Sequence, residues 1–269
     1  MRIYNNVNAI AIQNALDNTN VEMSKSLERL STGLRINQAA DDPAGLSVSQ
    51  GLQTQIRGSQ MAQRNANDGL AMLQIAEGGT QQITANLQQM RELAIQSSNG
   101  TYANTDRMYI NEEYTALASE ITRIALSTTY NGIPLLSSTS TLSFQISAAA
   151  SGNSSTISFT GIDLATGLSF GSVSLQSKAQ LAIGQIDAIL TSVLSMRAQV
   201  GAIMNRLEAT VTNLGTMVSN YSSASSQITD TNFATETTNF TRDQILTQSA
   251  TSMLAQANQL PNNVLSLLK

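Results

Sequence analysis

A long repeat of apolar side chains near the C-terminal end constrains the fold of this chain more than any other feature of its sequence. From Ile186 to Tyr221 apolar residues recur at alternating intervals of four and three, and the one interruption is Arg197. The other members of the repeat are Leu190, Val193, Val200, Met204, Leu207, Val211, Leu214 and Val218. A 3.5-residue repeat kept over about five heptads is typical of a coiled-coil seam. It predicts a helix about 54 Å long at about 1.5 Å per residue, with Arg197 setting the register or extending its charged end towards solvent.

Two segments in the N-terminal half carry the apolar pattern that partner helices need. One is predicted to begin after Pro43 and to continue through Ile83 and Ala94, and the other ends before a turn at Tyr130-Asn131-Gly132. The Ser-, Asn- and Gly-rich stretch 97–105 predicts the connection between them. The candidate core residues of the resulting bundle are Leu87, Met90, Ile110, Leu117, Ile121, Ile124, Ile186, Leu190, Val193, Leu207 and Leu214.

Both ends of the chain are amphipathic, but their helical pattern is weaker. Apolar residues recur seven apart near the N-terminus, while the many Asn, Thr and Ser residues between them lower the intrinsic helicity. Isolated helices of this kind need a partner surface, so we expect both ends to fold on association. The candidate association residues are Leu16, Met23, Leu27, Leu30, Leu34, Ile245, Leu246, Met253, Leu254, Leu260, Leu265 and Leu268.

The middle of the chain has a different texture. Residues 137–178 are rich in Ser, Thr and Gly and nearly free of charge, and they contain alternating stretches at 141–146 and 156–159 that predict short strands or hairpins. We expect this segment to be a compact, surface-exposed elaboration. The predicted fold class is mainly α, a long-helix coiled-coil bundle formed from both chain ends with a small β-hairpin-containing insertion. The predicted domains are 1–42 with 228–269, 43–136 with 179–227, and the insertion 137–178.

Composition excludes most site chemistry. The chain has no His, Cys or Trp, so a His-based nucleophile system, a thiolate, a disulfide and a His- or Cys-ligated metal are all excluded. A net charge of −4 and a pI near 4.8 argue against nucleic-acid binding. No uninterrupted apolar run reaches the roughly 18 to 20 residues of a membrane span, and the N-terminus lacks the pattern of a cleaved signal peptide. We therefore predict no enzyme activity, no cofactor and no membrane insertion.

Three short motifs have functional readings that the sequence does not favour. Residues 167–171 match the G-x-S-x-G nucleophile motif, which requires a His base that this chain lacks. Asp41 and Asp42 could serve as paired carboxylates, but with Pro43 they more plausibly begin a helix. Glu112 and Glu113 are more plausibly a solvated helix face than an acid/base or cation site.

At both ends the residues themselves resemble the bacterial flagellins. The N-terminal half carries LSTGLRIN at 30–37, AADDPAGL at 39–46, QRNANDGL at 63–70, RELAIQ at 91–96 and YNG at 130–132. The C-terminal part carries GAIMNRLE at 201–208, AQANQ at 255–259 and VLSLL at 264–268. These long motifs cover about 1–136 and 180–269 in the family's order, so the chain is similar to a compact flagellin without bulky outer domains.

The resemblance implies a structural subunit of the bacterial flagellar filament whose activity is self-assembly. It implies termini, 1 to about 40 and about 230 to 269, that are disordered in the monomer and helical in the polymer. It also implies unfolded passage through the flagellar type III export channel, an export chaperone on the C-terminal helix, and contacts with filament cap and junction proteins. The alternative within the same system is a hook–filament junction protein.

Flagellins that a Toll-like receptor senses present an Arg, a Leu and a Glu on one helical face. By the resemblance, the corresponding positions here are Gln89, Leu93 and Glu113. Gln89 keeps an amide donor but lacks the charge and the planar fork of Arg, and Arg91 lies about 200° further round the helix. The resemblance thus implies weakened receptor activation. The alternative is that this face serves only packing between subunits.

Overall fold

The computed structural model describes residues 6–148, 155–165 and 170–267, with side chains as far as residue 259. Within those ranges the chain forms five helices: α1 (Val7–Thr32), α2 (Pro43–Ser98), α3 (Asn104–Ser127), α4 (Gln176–Thr229) and α5 (Phe233–Leu267). Between α3 and α4 lie four short strands: β1 (Thr129–Tyr130), β2 (Ile133–Pro134), β3 (Thr141–Gln145) and β4 (Thr156–Thr160). The mainly helical fold class and the strand-containing insertion predicted from the sequence are confirmed.

Two compact units divide the chain, and each is built from both halves of the sequence. One comprises residues 1–54 and 220–269, and the other comprises residues 55–219. The long helices α2 and α4 each contribute residues to both units.

The first unit contains the turn from α1 into α2, which side chains and a glycine define. Gly33 ends α1 in the left-handed region, with φ of +74°, and donates its N–H to the carbonyl of Arg29 at 2.9 Å. Asp42 accepts the N–H of Gly45 at 2.9 Å and so caps the first turn of α2, which opens with Pro43. Asp41 instead accepts the backbone N–H groups of residues 37 and 38, and these hydrogen bonds lower the pKa of its carboxyl.

The segment after Gly33 is held against the end of α4 within the same unit. Arg35 donates its backbone N–H to the carbonyl of Thr229 at 2.6 Å, and Thr231 donates to the carbonyl of Gly33 at 2.9 Å. The guanidinium of Arg35 adds a hydrogen bond to the carbonyl of Ile228 at 2.6 Å, where the last carbonyls of α4 lack helical partners.

The second unit is a three-helix bundle of α2, α3 and α4 with a contiguous apolar core. Ion pairs join α2 to α4 at two levels, Arg91 with Asp187 at 2.7 Å and Arg197 with Glu77 at 2.6 Å. Of the core residues expected from the repeat, Leu117 and Leu190 are half-buried against the core. The others are buried: Leu87, Met90, Ile110, Ile121, Ile124, Ile186, Val193, Leu207 and Leu214.

The structure differs from the repeat at one position of α4. Arg197 was expected at a core position, but it is half-buried, whereas Met196 beside it is fully buried. In one row of the repeat, at seven-residue intervals, every member is buried except Tyr221, which is half-buried; the buried members are Ile186, Val193, Val200, Leu207 and Leu214. The second row, to which Arg197 belongs, lies at the core edge, where a charged end reaches both solvent and a carboxylate.

The insertion contributes to the core, which corrects the expectation of a purely exposed elaboration. β3 and β4 pair antiparallel with Leu142 opposite Phe159, and alternate residues of β4 are buried. Four apolar residues of the insertion join the bundle core: Ile157 and Phe159 on β4, and Leu164 and Val173 between β4 and α4. Successive side chains of a strand point to opposite faces. One face of this hairpin can therefore pack its apolar side chains against the helices, while the other face stays exposed.

By length and composition alone, one described helix could also cross a membrane. α4 contains an 18-residue stretch whose mean hydropathy is 1.3. In this chain its residues Ile186, Val193 and Val200 are buried among the other helices of the bundle.

Candidate assembly surface

The two terminal helices, α1 and α5, pack against each other in antiparallel orientation. At one end the side-chain amide of Asn6 donates to the carbonyl of Ala257 at 2.9 Å. At the other end a guanidinium nitrogen of Arg29 lies 3.8 Å from a carboxylate oxygen of the buried Glu236. The helices therefore run past each other over most of the length of α1.

The contact between these two helices buries mainly small side chains. Ser26 on α1 and Ala250 and Ala257 on α5 are each less than a tenth exposed. These positions were not among the association residues predicted from the sequence. Ala250 and Ala257 lie one heptad apart, so a search for seven-residue spacing that included alanines would have found them. Small residues let the helix axes approach but supply little apolar area, so the pair has little core of its own.

Large apolar side chains on both terminal helices remain uncovered in the single chain. They are Val7, Ile10, Val21 and Leu27 on α1, and Phe233, Ile245, Leu246 and Met253 on α5, with exposures between 47% and 59%. An open groove on α5 is lined by Phe233, Thr237, Thr241 and Ile245 among others. Three of these side chains, Phe233, Ile245 and Leu246, line this one groove, and a cluster of exposed apolar side chains is typical of an interaction site.

The association residues predicted from the sequence divide into three groups. Leu16, Met23, Leu30 and Leu254 are half-buried in the helix pair. Leu27, Leu34, Ile245, Leu246 and Met253 are exposed. The side chains of Leu260 and Leu265, and the whole of Leu268, lie outside the described residues.

The face formed by Gln89, Leu93 and Glu113 is assembled between α2 and α3. The amide of Gln89 donates to a carboxylate oxygen of Glu113 at 3.4 Å, and both residues are exposed. Leu93, one turn further along α2, is half-buried against the core. Arg91 points elsewhere, because its guanidinium is bound to Asp187 of α4 and that hydrogen bond raises its pKa.

The acidic residues that could have formed a catalytic or metal site lie apart in the part of the chain that the structure describes. Within the ranges 6–148, 155–165 and 170–267 no three acidic, His or Cys side chains come together as a metal site. Asp42 caps a helix and Glu113 accepts from Gln89. Residues 167–169 of the G-x-S-x-G match lie outside the described residues.

Comparison with known proteins gives matches at both ends of the chain. Residues 3–141 match the bacterial flagellin N-terminal helical region, and residues 183–268 match the bacterial flagellin C-terminal helical region. The chain is 40% identical over 286 residues to the flagellar filament 33 kDa core protein of Treponema phagedenis, covering 100% of both chains. It is 43% identical over 249 residues to a flagellin of Halalkalibacterium halodurans, covering 91% of both. Among solved structures, the crystal structure of Bacillus cereus flagellin is similar, with a TM-score of 0.50, 30% identity, and coverage of 56% of this chain and 88% of that one.

The paired terminal helices and the apolar side chains that they leave exposed indicate a subunit that associates with other chains. With both terminal regions matched, the chain belongs to the bacterial flagellin family. Its full-length relatives are flagellins and filament core proteins, so it is a subunit of the flagellar filament, a homopolymer that lies outside the cell. The alternative of a hook–filament junction protein is not favoured.

Proposed function

We propose that the terminal helices, 1–42 and 228–269, form the inner assembly domain of the filament subunit. In this proposal 43–136 with 179–227 form the surrounding helical domain, and 137–178 form a short outer segment. The observation that supports it is the set of large apolar side chains that α1 and α5 leave uncovered. Copies that add head-to-tail through such surfaces, without closing a ring, build an open helical polymer.

The proposal includes further partners and the route out of the cell. The subunit leaves through the flagellar type III channel, and an export chaperone covers the C-terminal helix before export. Filament cap and junction proteins contact the ends of the polymer. The uncovered apolar residues of α5 support the chaperone contact, because such a surface is a liability in an unassembled chain. A flagellin-sensing Toll-like receptor binds Gln89, Leu93 and Glu113 with reduced strength.

The test compares polymerisation of the full chain with that of a double variant, Ile245→Ser with Met253→Ser. Both side chains are more than half exposed in the single chain, so the variant monomer should keep its far-ultraviolet circular dichroism and melting temperature. Burying each side chain in the polymer contributes about 1 to 2 kcal/mol, so the critical concentration should rise by at least about tenfold. Thr251→Ser, an exposed polar position on the same helix, is the matched control.

Two outcomes would contradict the proposal. If the double variant polymerised at the same concentration as the parent, α5 would not be an assembly surface. If limited proteolysis trimmed the monomer to a core near 45–225 and that core still formed filaments, neither terminal helix would be needed.

A further inference from the structure

The sequence contains two Asn-Gly pairs, Asn99-Gly100 and Asn131-Gly132. In such a pair the backbone nitrogen of the glycine can attack the side-chain amide carbon of the asparagine, because glycine has no Cβ to obstruct the approach. All four residues are exposed, and a Cβ on either glycine would meet no atom within 4 Å. Steric access therefore does not distinguish the two pairs, whereas their local contacts do.

The side chain of Asn99 is folded forward over the following peptide. Asn99 comes directly after α2, and its amide oxygen Oδ1 accepts the backbone N–H of Thr101 at 3.4 Å. When the amide carbon is attacked, negative charge develops on this same oxygen. A backbone N–H directed at that oxygen stabilises the developing charge, at a distance somewhat longer than the about 2.7 to 3.1 Å of oxyanion-hole donors.

A cation contacts the peptide that supplies the nucleophile. Arg107, which is only 6% exposed, donates from Nη2 to the backbone carbonyl of Asn99 at 2.9 Å and from Nε to the carbonyl of Ser97 at 2.8 Å. The Asn99 carbonyl and the Gly100 nitrogen belong to one peptide group. A guanidinium on that carbonyl therefore stabilises the anion formed when the nitrogen gives up its proton.

Asn131-Gly132 lacks both features. Its residues have φ of +49° and +78° and form the two-residue turn between β1 and β2, with Tyr130 paired to Ile133. In the described parts of the chain, neither the side-chain oxygen nor the backbone carbonyl of Asn131 accepts a hydrogen bond. Turning its amide carbon onto the Gly132 nitrogen requires leaving the left-handed region and loosening the strand pair, which costs about one hydrogen bond.

We propose that Asn99-Gly100 is a self-modification site, activated by Thr101 and Arg107. The Gly100 nitrogen loses its proton to solvent and bonds to the Asn99 amide carbon. The bond from that carbon to Nδ2 then breaks, and ammonia leaves with a proton from water. Water next opens the succinimide ring at one of its two carbonyls. The product is aspartate or isoaspartate at position 99, and the net change is consumption of one water and release of one ammonia.

The modification changes both charge and geometry at the α2–α3 connection. Either product adds a carboxylate beside the Arg107 guanidinium. In isoaspartate the main chain runs through the former side-chain carbonyl and is one carbon longer, and the former backbone carbonyl of Asn99 becomes the free carboxylate beside Arg107.

The experiment ages the purified full chain at neutral pH and follows both sites by peptide mapping with fragmentation that separates aspartate from isoaspartate. In the folded chain, Asn99 should react about tenfold faster than Asn131, equivalent to about 1.4 kcal/mol of activation free energy. In urea the two rates should become similar, because both sites then share the same Asn-Gly chemistry. Equal rates in the folded chain, or an unchanged ratio in urea, would overturn the proposal.

The role of Arg107 is tested by the same ratio in Arg107→Gln and Arg107→Lys chains. The Gln variant should lower the Asn99 to Asn131 ratio several-fold, and the Lys variant, which keeps the cation, should retain most of it. General loosening of the fold would speed both sites and leave the Lys variant no better than the Gln variant. A folded Gln variant with an unchanged ratio would refute the role of Arg107. Should that variant not fold, the native-to-urea comparison on the parent chain still decides the site.

Discussion

Glu77 of α2 accepts two hydrogen bonds from Arg197 of α4, from Nε at 3.0 Å and from Nη2 at 2.6 Å, both on the same carboxylate oxygen. Each side chain is about one-third exposed. The arginine therefore stands at the edge of the core, while Met196 beside it occupies the interior. At this level of the bundle, Met196 fills the core position that the apolar repeat of α4 assigns to Arg197.

Truncating these two neighbours should have very different consequences. Met196→Ala should lower the free energy of unfolding by about 2 to 5 kcal/mol, because it leaves a cavity in the packed bundle. Arg197→Ala should lower it by only about 0.5 to 1 kcal/mol, since a partly exposed ion pair is screened by water and salt. Urea unfolding of the full-length monomer measures both values. A larger loss at Arg197 than at Met196 would show that the arginine side chain is the core residue after all.

The groove on α2 that receives β3 depends on a glycine. A Cβ at Gly69 would lie 2.9 Å from Cδ1 of Phe144, which is closer than side-chain carbons normally approach. We expect Gly69→Ala to displace Phe144 and the β3–β4 hairpin and to destabilise the chain by about 1 to 3 kcal/mol, the usual effect of overpacking.

Gly78→Ala is the matched control for this glycine. It lies on the same helix, and nothing stands within 4 Å of its added Cβ. It should therefore stabilise the chain by about 0.5 to 1 kcal/mol through helix propensity. Thermal unfolding of the two variants measures both effects. The change in stability should be negative for Gly69→Ala and positive for Gly78→Ala. Stabilisation by both would mean that the hairpin gives way without cost.

The sequence predicted the helices well because heptad periodicity is a local signal. The periodicity places Leu207 and Arg197 in two different rows of the α4 seam. It does not show which row faces the core, because that depends on how α2 and α3 are rotated against α4. Likewise, Phe159 and Val173 are apolar residues in a polar segment, and only their tertiary contacts bring them into the core.

The pairing of the two chain ends was predictable in kind but not in detail. The weak amphipathic ends correctly indicated helices, whereas the residues between α1 and α5 are small ones such as Ala250 and Ala257 that carry little hydrophobic signal. Large residues such as Ile245 and Met253, which the pattern marks as association residues, stay exposed in the single chain. A pattern shows that a side chain needs burial and does not show whether the same chain or a neighbour provides it.

Tyr114 makes the bundle sensitive to alkali. Its side chain is fully buried with its hydroxyl unpaired, and burial raises its pKa from 10.0 to about 12. Because the pKa of Tyr114 is higher in the folded chain than in the unfolded chain, the unfolded chain releases this proton first. The free energy of unfolding therefore keeps its full value below pH 10, and it falls by about 1.4 kcal/mol for each pH unit as the pH rises towards about 12.

Tyr114→Phe should remove this loss. At neutral pH the variant should be as stable as the parent or more stable by up to about 1 kcal/mol, since it removes an unpaired buried hydroxyl. Above pH 10 its advantage should widen, which urea unfolding at a series of pH values measures. Tyr109→Phe, at an exposed tyrosine on the same helix, should show no such widening. Destabilisation of the Tyr114→Phe chain at neutral pH would mean that its hydroxyl has a hydrogen-bond partner.

The last prediction concerns the face formed by Gln89, Leu93 and Glu113. Gln89 already lies 3.4 Å from the Glu113 carboxylate, so an arginine there would present a cation beside an anion, with Leu93 one turn away. Replacing a neutral hydrogen bond to the receptor by a charge-assisted one is worth about 1 to 2 kcal/mol, or roughly tenfold in affinity. Gln89→Arg monomer should therefore activate a flagellin-sensing Toll-like receptor at roughly tenfold lower concentration than the parent in a reporter-cell titration.

The matched control is Gln88→Arg, which adds the same charge at an exposed position about 100° round the helix and should leave the potency unchanged. If the two variants gained equally, net charge rather than this face would govern recognition; if neither gained while both stayed folded, the face would serve only contacts between subunits.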